Sequence, residues 1–106
     1  MTIKPSTNAF EKASVDKPEL VLRLYIAGSS GRSTRAIENA KDICERHLEG
    51  RYRLEVIDIY TQPMLARDDQ VLAVPTLVKK APPPIRRFIG DLSDRARVLR
   101  GLEIES

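Results

Sequence analysis

The chain has very few of the residues that most often carry chemistry in proteins. It contains one cysteine, one histidine and no tryptophan among 106 residues. The single cysteine, Cys44, cannot form an internal disulfide, and one cysteine with one histidine does not complete a zinc site. We therefore expect no cofactor and no metal, and a reducing, cytoplasmic setting.

Long apolar segments are also missing. No run is long and apolar enough to span a bilayer, and residues 1–18 mix lysine, proline, serine and threonine without the apolar centre of a signal peptide. We interpret residues 1–18 as a flexible N-terminal tail. Residues 19–106 are then one domain, because a chain of this length forms a single core. We predict no membrane contact.

Positive charge is concentrated in the C-terminal third. Seven bases and only two acids lie between Lys79 and Arg100, although the whole chain has a net charge of only +3. Such an excess steers an acidic partner toward the surface. Nucleic acid is disfavoured as that partner, because Phe88 is the only aromatic residue in the segment and single-strand binders stack bases on aromatic side chains.

Hydrophobic periodicity in the first half predicts a strand, a helix and a strand. Residues 20–27 are rich in aliphatic residues and read as a buried strand. From Thr34 apolar residues recur with helical spacing, with Ser33 as the expected N-cap and Gly50 just beyond the end. Residues 52–60 then alternate as a second strand. A right-handed crossover makes the two strands parallel.

The second half predicts three shorter elements and a last helix. Pro63 suits a first helical turn, and the apolar residues of segment 64–72 fall near one face. Residues 73–78 form a third strand with Pro75 near its start, and residues 85–89 a fourth. Ser93 is the expected cap of the last helix. The predicted fold class is α/β, in the order βαβαββα.

That order, with a proline opening the third strand, resembles thioredoxin, but the redox pair of thioredoxin is missing. Where that family carries Cys-x-x-Cys, residues 28–33 read GSSGRS. Serine supplies no thiolate, so thiol exchange at this position is excluded. The same segment lacks the Gly-Lys-Ser/Thr ending of a phosphate-binding loop. A redox or chaperone descendant of thioredoxin remains an alternative.

Several longer motifs resemble the KaiB family of bacterial clock proteins. They are LRLYIAG and LEVIDI in the first two strands, Pro75-Thr76-Leu77, the triple proline followed by two arginines, and IGDLSDR at residues 89–95. The resemblance implies a regulator without enzymatic activity. It implies binding to the ATPase ring of a KaiC-like partner, with KaiA or a sensor histidine kinase as further partners.

The resemblance also implies which residues contact that partner. They belong to the first strand, the first two helices and the third and fourth strands: Tyr25, Arg35, Met64, Leu65, Lys79, Arg86 and Arg87. Arginine suits such a surface, because its planar guanidinium donates two hydrogen bonds to a carboxylate.

KaiB is a fold-switching family, so the resemblance implies a second arrangement. The free protein is expected to be a homotetramer, or a dimer, with the order βαββααβ, and the thioredoxin-like order is the one that binds the partner. The residues assigned to the switch are Pro75, Pro83, Gly101 and Glu103. Because glycine weakens a helix by about 1 kcal/mol relative to alanine, Gly101→Ala is expected to favour the thioredoxin-like order.

Overall fold

The computed structural model describes residues 19–104, so the predicted tail at residues 1–18 lies outside the described residues. Four strands and three helices follow the predicted order. Their bounds are β1 (Leu20–Ile26), α1 (Gly31–His47), β2 (Tyr52–Asp58), α2 (Pro63–Asp68), β3 (Thr76–Ala81), β4 (Arg86–Ile89) and α3 (Arg95–Gly101).

The strands form one mixed sheet in the spatial order β2-β1-β3-β4. β1 and β2 are parallel, as the crossover through α1 predicts, and Tyr25 lies beside Ile57 in their register. β3 runs antiparallel to β1 and to β4. β2 and β4 are therefore the two edges, and β1 and β3 supply the centre.

One face of the sheet carries the larger core. Leu22 and Leu24 of β1 are buried against Ala36 and Ile43 of α1, and Val98 of α3 belongs to the same cluster. Burying a leucine side chain contributes about 2 kcal/mol, so this face supplies most of the stability. α1 and α3 thus cover one side of the sheet together.

The opposite face carries a smaller cluster beneath α2. Tyr25, Ile57 and Val78 are buried there, and Leu65 and Ala66 of α2 pack against them. Alternation along a strand explains the division, because successive side chains point to opposite faces. The short helix α2 is thus the cover of the second face.

Both helix caps differ from the predicted residues, by three positions at α1 and by one at α3. α1 begins at Gly31, and its N-cap is Ser30 instead of Ser33. The Ser30 hydroxyl accepts a hydrogen bond from the Ser33 amide. Ser33 is buried instead, and its hydroxyl accepts the Ala27 amide proton at 3.1 Å. At α3 the cap is Asp94, whose carboxylate accepts from the Arg97 amide, because the preceding Ser93 is held in a turn by Asp91.

The second helix is shorter than predicted, and the third strand begins and ends later. α2 ends at Asp68, because Gln70 adopts a left-handed φ of 57° that stops the helix. Leu72 therefore leaves the predicted helical face and has 94% of its surface exposed. β3 begins at Thr76 rather than residue 73, since Pro75 has no amide proton for the ladder.

The environment of Gly101 opposes the expectation for Gly101→Ala. Gly101 is the last residue of α3 and lies against the buried ring of Phe88. A Cβ atom there would lie 2.3 Å from the Phe88 Cε1 atom. That overlap opposes the helix propensity that alanine adds, so in this arrangement we expect Gly101→Ala to destabilise the fold, contrary to the expectation from propensity alone.

Candidate functional site

The clearest concave surface is a groove beside α2. It has a volume of about 890 Å³ and lies between α2, the end of the β2–α2 connection and the loop that leads into β3. Its walls are mainly apolar: Ile59, Pro63, Ala66, Val71, Leu72 and Val74. Arg67, Gln70 and Arg87 add polar groups to the same lining. An apolar floor with a basic rim suits a protein partner better than a metal or a phosphate.

Asp69, which follows α2 directly, anchors that helix to the sheet. Its carboxylate is almost fully buried, and it accepts hydrogen bonds from the Tyr25 hydroxyl and from Lys80 Nζ. Arg23 Nη1 donates to the same carboxylate at 3.1 Å. The Tyr25 hydroxyl also lies 3.0 Å from the carbonyl oxygen of Leu65, so its single proton lies between two acceptors at the end of α2. Two strands therefore bind the end of α2 through one side chain.

This network changes the acidity of its members. Burial raises the pKa of Asp69, but hydrogen bonds from Lys80, Tyr25 and Arg23 outweigh it and hold that pKa below its usual range. Burial and the bond to Asp69 raise the pKa of Tyr25 to about 12. A hydrogen bond to Glu55 is the main cause that raises the pKa of Arg23. Asp69 is thus ionised and Tyr25 is a hydrogen-bond donor at neutral pH.

Arg87 joins the network through the main chain. Its Nε and Nη2 atoms donate to the carbonyl oxygen of Asp69 at 3.1 Å and 3.0 Å. The side chain also lines the groove. Because a guanidinium held by two bonds has a fixed plane, Arg87 presents its remaining N–H groups to the groove in one orientation.

Three of the residues predicted to contact a partner meet on this face. Met64 is 58% exposed on α2, Leu65 is half-buried beside it, and Arg87 lies across the groove. Tyr25 lies beneath them and is fully buried. Its assignment as a contact residue is therefore corrected, because its hydroxyl reaches α2 and not the surface.

The other three predicted contact residues lie apart from the groove. Arg35 is on α1, across the sheet, where its Nε lies 3.3 Å from Asp91. Lys79 has 3% of its surface exposed, so in this arrangement it does not reach a partner and its assignment is also corrected. Arg86 is exposed on β4 beside Lys79 in the strand register.

The residues assigned to the switch are distributed over the second half of the fold. Pro75 is buried before β3 after a cis peptide bond, and its carbonyl oxygen accepts the Gly90 amide proton at 2.9 Å. Pro83 is exposed in the β3–β4 loop. Gly101 ends α3, and Glu103 follows with a left-handed φ of 61°. Their role in switching stays a prediction.

Sequence reasoning missed Asp69 and the exposed Leu72. The two adjacent aspartates differ, since Asp68 is exposed and Asp69 is buried. The missed signal is the spacing of Leu65 and Asp69, four residues apart. Such residues share a helix face, so the face that buries Leu65 also buries Asp69.

The position of the thioredoxin redox pair is filled by two serines. Ser30 and Ser33 hydrogen-bond to each other through their hydroxyl oxygens, which are 2.9 Å apart. Cys44 is buried in the core on α1, and burial raises its pKa to about 12. A thiol of that kind has almost no thiolate at neutral pH, so it is no substitute for the missing pair.

Residues 19–104 lack two features that would indicate other kinds of site. No three His, Cys, Asp or Glu side chains of this range are grouped as a metal site would require. Within the same range, no helix has the length and apolar character needed to cross a bilayer.

Solved structures with the same architecture include the N-terminal domain of SasA and a thioredoxin. The N-terminal domain of Synechococcus elongatus SasA matches with a TM-score of 0.68 at 22% identity, covering 91% of this chain and 93% of that one. Mitochondrial thioredoxin 3 from Saccharomyces cerevisiae matches with a TM-score of 0.66 at 16% identity, covering 84% and 82%. These likenesses show a thioredoxin-like fold.

Sequence comparison identifies the family. The "Circadian clock oscillator protein KaiB" of Microcystis aeruginosa is 50% identical over 91 residues, which are 86% of this chain and 88% of that protein. The protein of the same name from Nostoc punctiforme is 52% identical over 88 residues, or 83% and 85% of the two chains. The KaiB domain model matches residues 23–104. The chain belongs to the KaiB family, whose relatives named above are circadian clock oscillator proteins.

Proposed function

We propose that this chain binds the ATPase ring of a KaiC-like partner through the groove beside α2, and so modulates the phosphorylation cycle or the signalling output of that partner. The family supports a clock role for the chain. The groove is the surface that we propose for partner binding, since α2 and its flanking loops form a concave, largely apolar wall.

The single observation that carries the proposal is the exposure of large apolar side chains around this groove. Tyr60, Met64 and Leu72 are 75%, 58% and 94% exposed, and all three belong to the segment that builds the groove or flanks it. Soluble proteins rarely group exposed apolar residues without a binding role. A partner that places one apolar side chain in the groove would cover them.

Two arginines at the rim of the groove favour a partner segment that carries an acidic residue beside its apolar side chain. Arg67 is exposed in the last turn of α2, and Arg87 is held across the groove by Asp69. A carboxylate on the partner would accept two hydrogen bonds from either guanidinium. We therefore expect the bound segment of the partner to combine an apolar anchor with an aspartate or glutamate.

The proposal is tested by binding of surface variants to a purified KaiC-like hexamer. Leu72→Asp and Arg67→Glu change exposed side chains of the groove, so both variants should fold normally. Each should raise the dissociation constant by about tenfold or more, as expected for central interface residues. Lys41→Glu is the matched control, because Lys41 is exposed on α1 at the opposite face of the sheet.

Equal binding by the three variants and the parent chain would contradict the proposed surface. No binding by the parent chain, with ATP or with ADP present, would contradict the proposed function itself. KaiA or a sensor histidine kinase as further partners, and a homotetramer of the order βαββααβ in the free protein, remain predictions from the family resemblance.

A further inference from the structure

Asp69 joins the end of α2 to three strands of the sheet, through its side chain and its main chain. Its carboxylate binds Arg23 and Tyr25 of β1 and Lys80 of β3, and its carbonyl oxygen binds Arg87 of β4. Its own main chain ends α2. One residue therefore fixes the helix that forms one wall of the groove and the arginine that lies across it.

The chemistry of these contacts makes the arrangement depend on the charge of Asp69. The side chain has 4% of its surface exposed, and the side chains of Arg23 and Lys80 have 23% and 31% exposed. An ionised carboxylate with three donors satisfies its oxygens in a place that water barely reaches. A neutral amide in the same place would leave two cations without their shared counter-charge.

We propose that Asp69 is the positioning residue of the groove: it holds α2 and Arg87 in the arrangement that a partner recognises, without contacting the partner. This inference rests on the proposed function for the identity of the partner. The positioning itself is a property of the free chain, and it is measured there as well.

The test compares Asp69→Asn with Asp68→Asn. The two substitutions remove the same charge from adjacent residues, but Asp68 is exposed and Asp69 is buried. In the free chain, we expect amide exchange across residues 64–71 to accelerate by about tenfold in Asp69→Asn and to stay unchanged in Asp68→Asn. In binding to a KaiC-like hexamer, we expect Asp69→Asn to raise the dissociation constant by about tenfold or more and Asp68→Asn to leave it within about twofold.

Tyr25→Phe is a second, milder variant of the same network, and it keeps the inference testable if Asp69→Asn does not fold. It removes only a hydroxyl from a fully buried side chain whose hydroxyl contacts lie at Asp69 and Leu65. Because this residue does not reach the surface, an effect on binding passes through α2. We expect about a threefold rise in the dissociation constant, with the urea midpoint showing that the chain is still folded.

The outcomes separate this inference from the proposed function. If the parent chain does not bind the hexamer, the proposed function fails, and amide exchange in the free chain still decides the role of Asp69. Unchanged exchange in both Asp69→Asn and Tyr25→Phe would overturn the inference, whether or not the parent chain binds. So would binding by both variants that equals binding by Asp68→Asn.

Discussion

The carboxyl group of Asp69 is ionised although it is buried, and its surroundings explain how. Arg23 and Tyr25 from β1 and Lys80 from β3 donate to it, Arg87 from β4 donates to its carbonyl oxygen, and Glu55 from β2 balances Arg23. Burial raises the pKa of Asp69, but the hydrogen bonds from Lys80, Tyr25 and Arg23 outweigh it, which is why this pKa is lowered.

That lowered pKa predicts how stability depends on pH. The unfolded value of an aspartate is about 3.9, so the contribution of Asp69 is complete above it and is lost as pH falls through the lower folded value. Urea unfolding between pH 5 and pH 2 should show a steeper loss of stability in the parent chain than in Asp69→Asn. Asp42 and Asp91 also have lowered pKa values, but the parent chain and Asp69→Asn both retain them. The difference between the two stability curves therefore reports on Asp69. Parallel curves would contradict the prediction.

Gly101 gives a second prediction at the scale of single residues. Alanine adds about 1 kcal/mol of helix propensity, whereas overpacking a core costs about 1 to 3 kcal/mol. With Phe88 Cε1 at 2.3 Å from the new Cβ, we expect Gly101→Ala to lower the free energy of unfolding of this fold.

Phe88→Leu provides the control for Gly101. It removes the ring atoms that meet the new methyl group, so Gly101→Ala should be neutral or stabilising in that background. A double-mutant cycle by urea denaturation measures the coupling. The same loss of stability in both backgrounds would show that the ring is not the cause.

Residue roles were the least predictable part of the site. Tyr25 and Lys79 were assigned to the partner surface by the family resemblance, and whether a strand side chain is exposed depends on what covers that face of the sheet. Packing covers both faces of the central strands β1 and β3, so Tyr25 and Lys79 are buried whichever face they point to. Met64, Leu65 and Arg87, from α2 and from an edge strand, were predicted on the same basis and do lie at or beside the groove.

Among the elements, α2 and α3 end in the same way. After α3, the Glu103 amide donates to the Arg100 carbonyl and the Ile104 amide to the Leu99 carbonyl. After α2, Gln70 and Val71 make the corresponding bonds to Arg67 and Ala66. This Schellman motif needs a left-handed residue, usually glycine. Here Glu103 and Gln70 occupy that position, with φ values of 61° and 57°.

Glu103→Gly should therefore stabilise this order. Glycine adopts the left-handed conformation without the cost of a Cβ atom, which is about 1 kcal/mol. We expect a rise of up to about 1 kcal/mol in the free energy of unfolding, reduced by the greater freedom of glycine in the unfolded chain. Thermal and urea unfolding measure it. Glu49→Ala is the comparison, since Glu49 also has a left-handed φ of 47° and alanine relieves none of that cost.

No rise in the free energy of unfolding for Glu103→Gly, or a change equal to that of Glu49→Ala, would contradict this account of the α3 end.

The elements themselves were largely predictable. β1, α1 and β2 have strong periodicity, and their predicted and observed bounds differ by three residues or fewer. The bounds of α2 and β3 were not predictable, because they depend on the left-handed Gln70 and on which strands pair after Pro75.

At the scale of the whole molecule, polar contacts attach the last third of the chain to α1. The Asn39 side chain donates to the Asp91 carbonyl at 2.8 Å, and Arg95 binds Asp42 and Asn39. Lys80 and Arg87 attach β3 and β4 to the end of α2. The second order that the resemblance implies would have to break these contacts. Because they are polar and lie partly at the surface, each contributes modestly, which leaves two arrangements of similar free energy physically reasonable.

Several of the positive charges concentrated between Lys79 and Arg100 make contacts within the fold. Of the bases between Lys79 and Arg100, Lys80, Arg87 and Arg95 hold the fold together through Asp69, Asn39 and Asp42. Arg86, Arg97 and Arg100 are exposed. The basic segment is therefore partly structural. The sequence alone could not separate its structural bases from its exposed bases, because the residues that bind the structural bases are distant in the chain.

The central claim is that this chain binds a KaiC-like ring through the groove beside α2. Hydrogen exchange of the chain, free and mixed with a purified KaiC-like hexamer, tests it most directly, with ATP and ADP compared. We predict slower amide exchange across residues 60–74 in the complex, and unchanged exchange in α1 on the opposite face. No complex with either nucleotide, or protection confined to α1, would contradict the account.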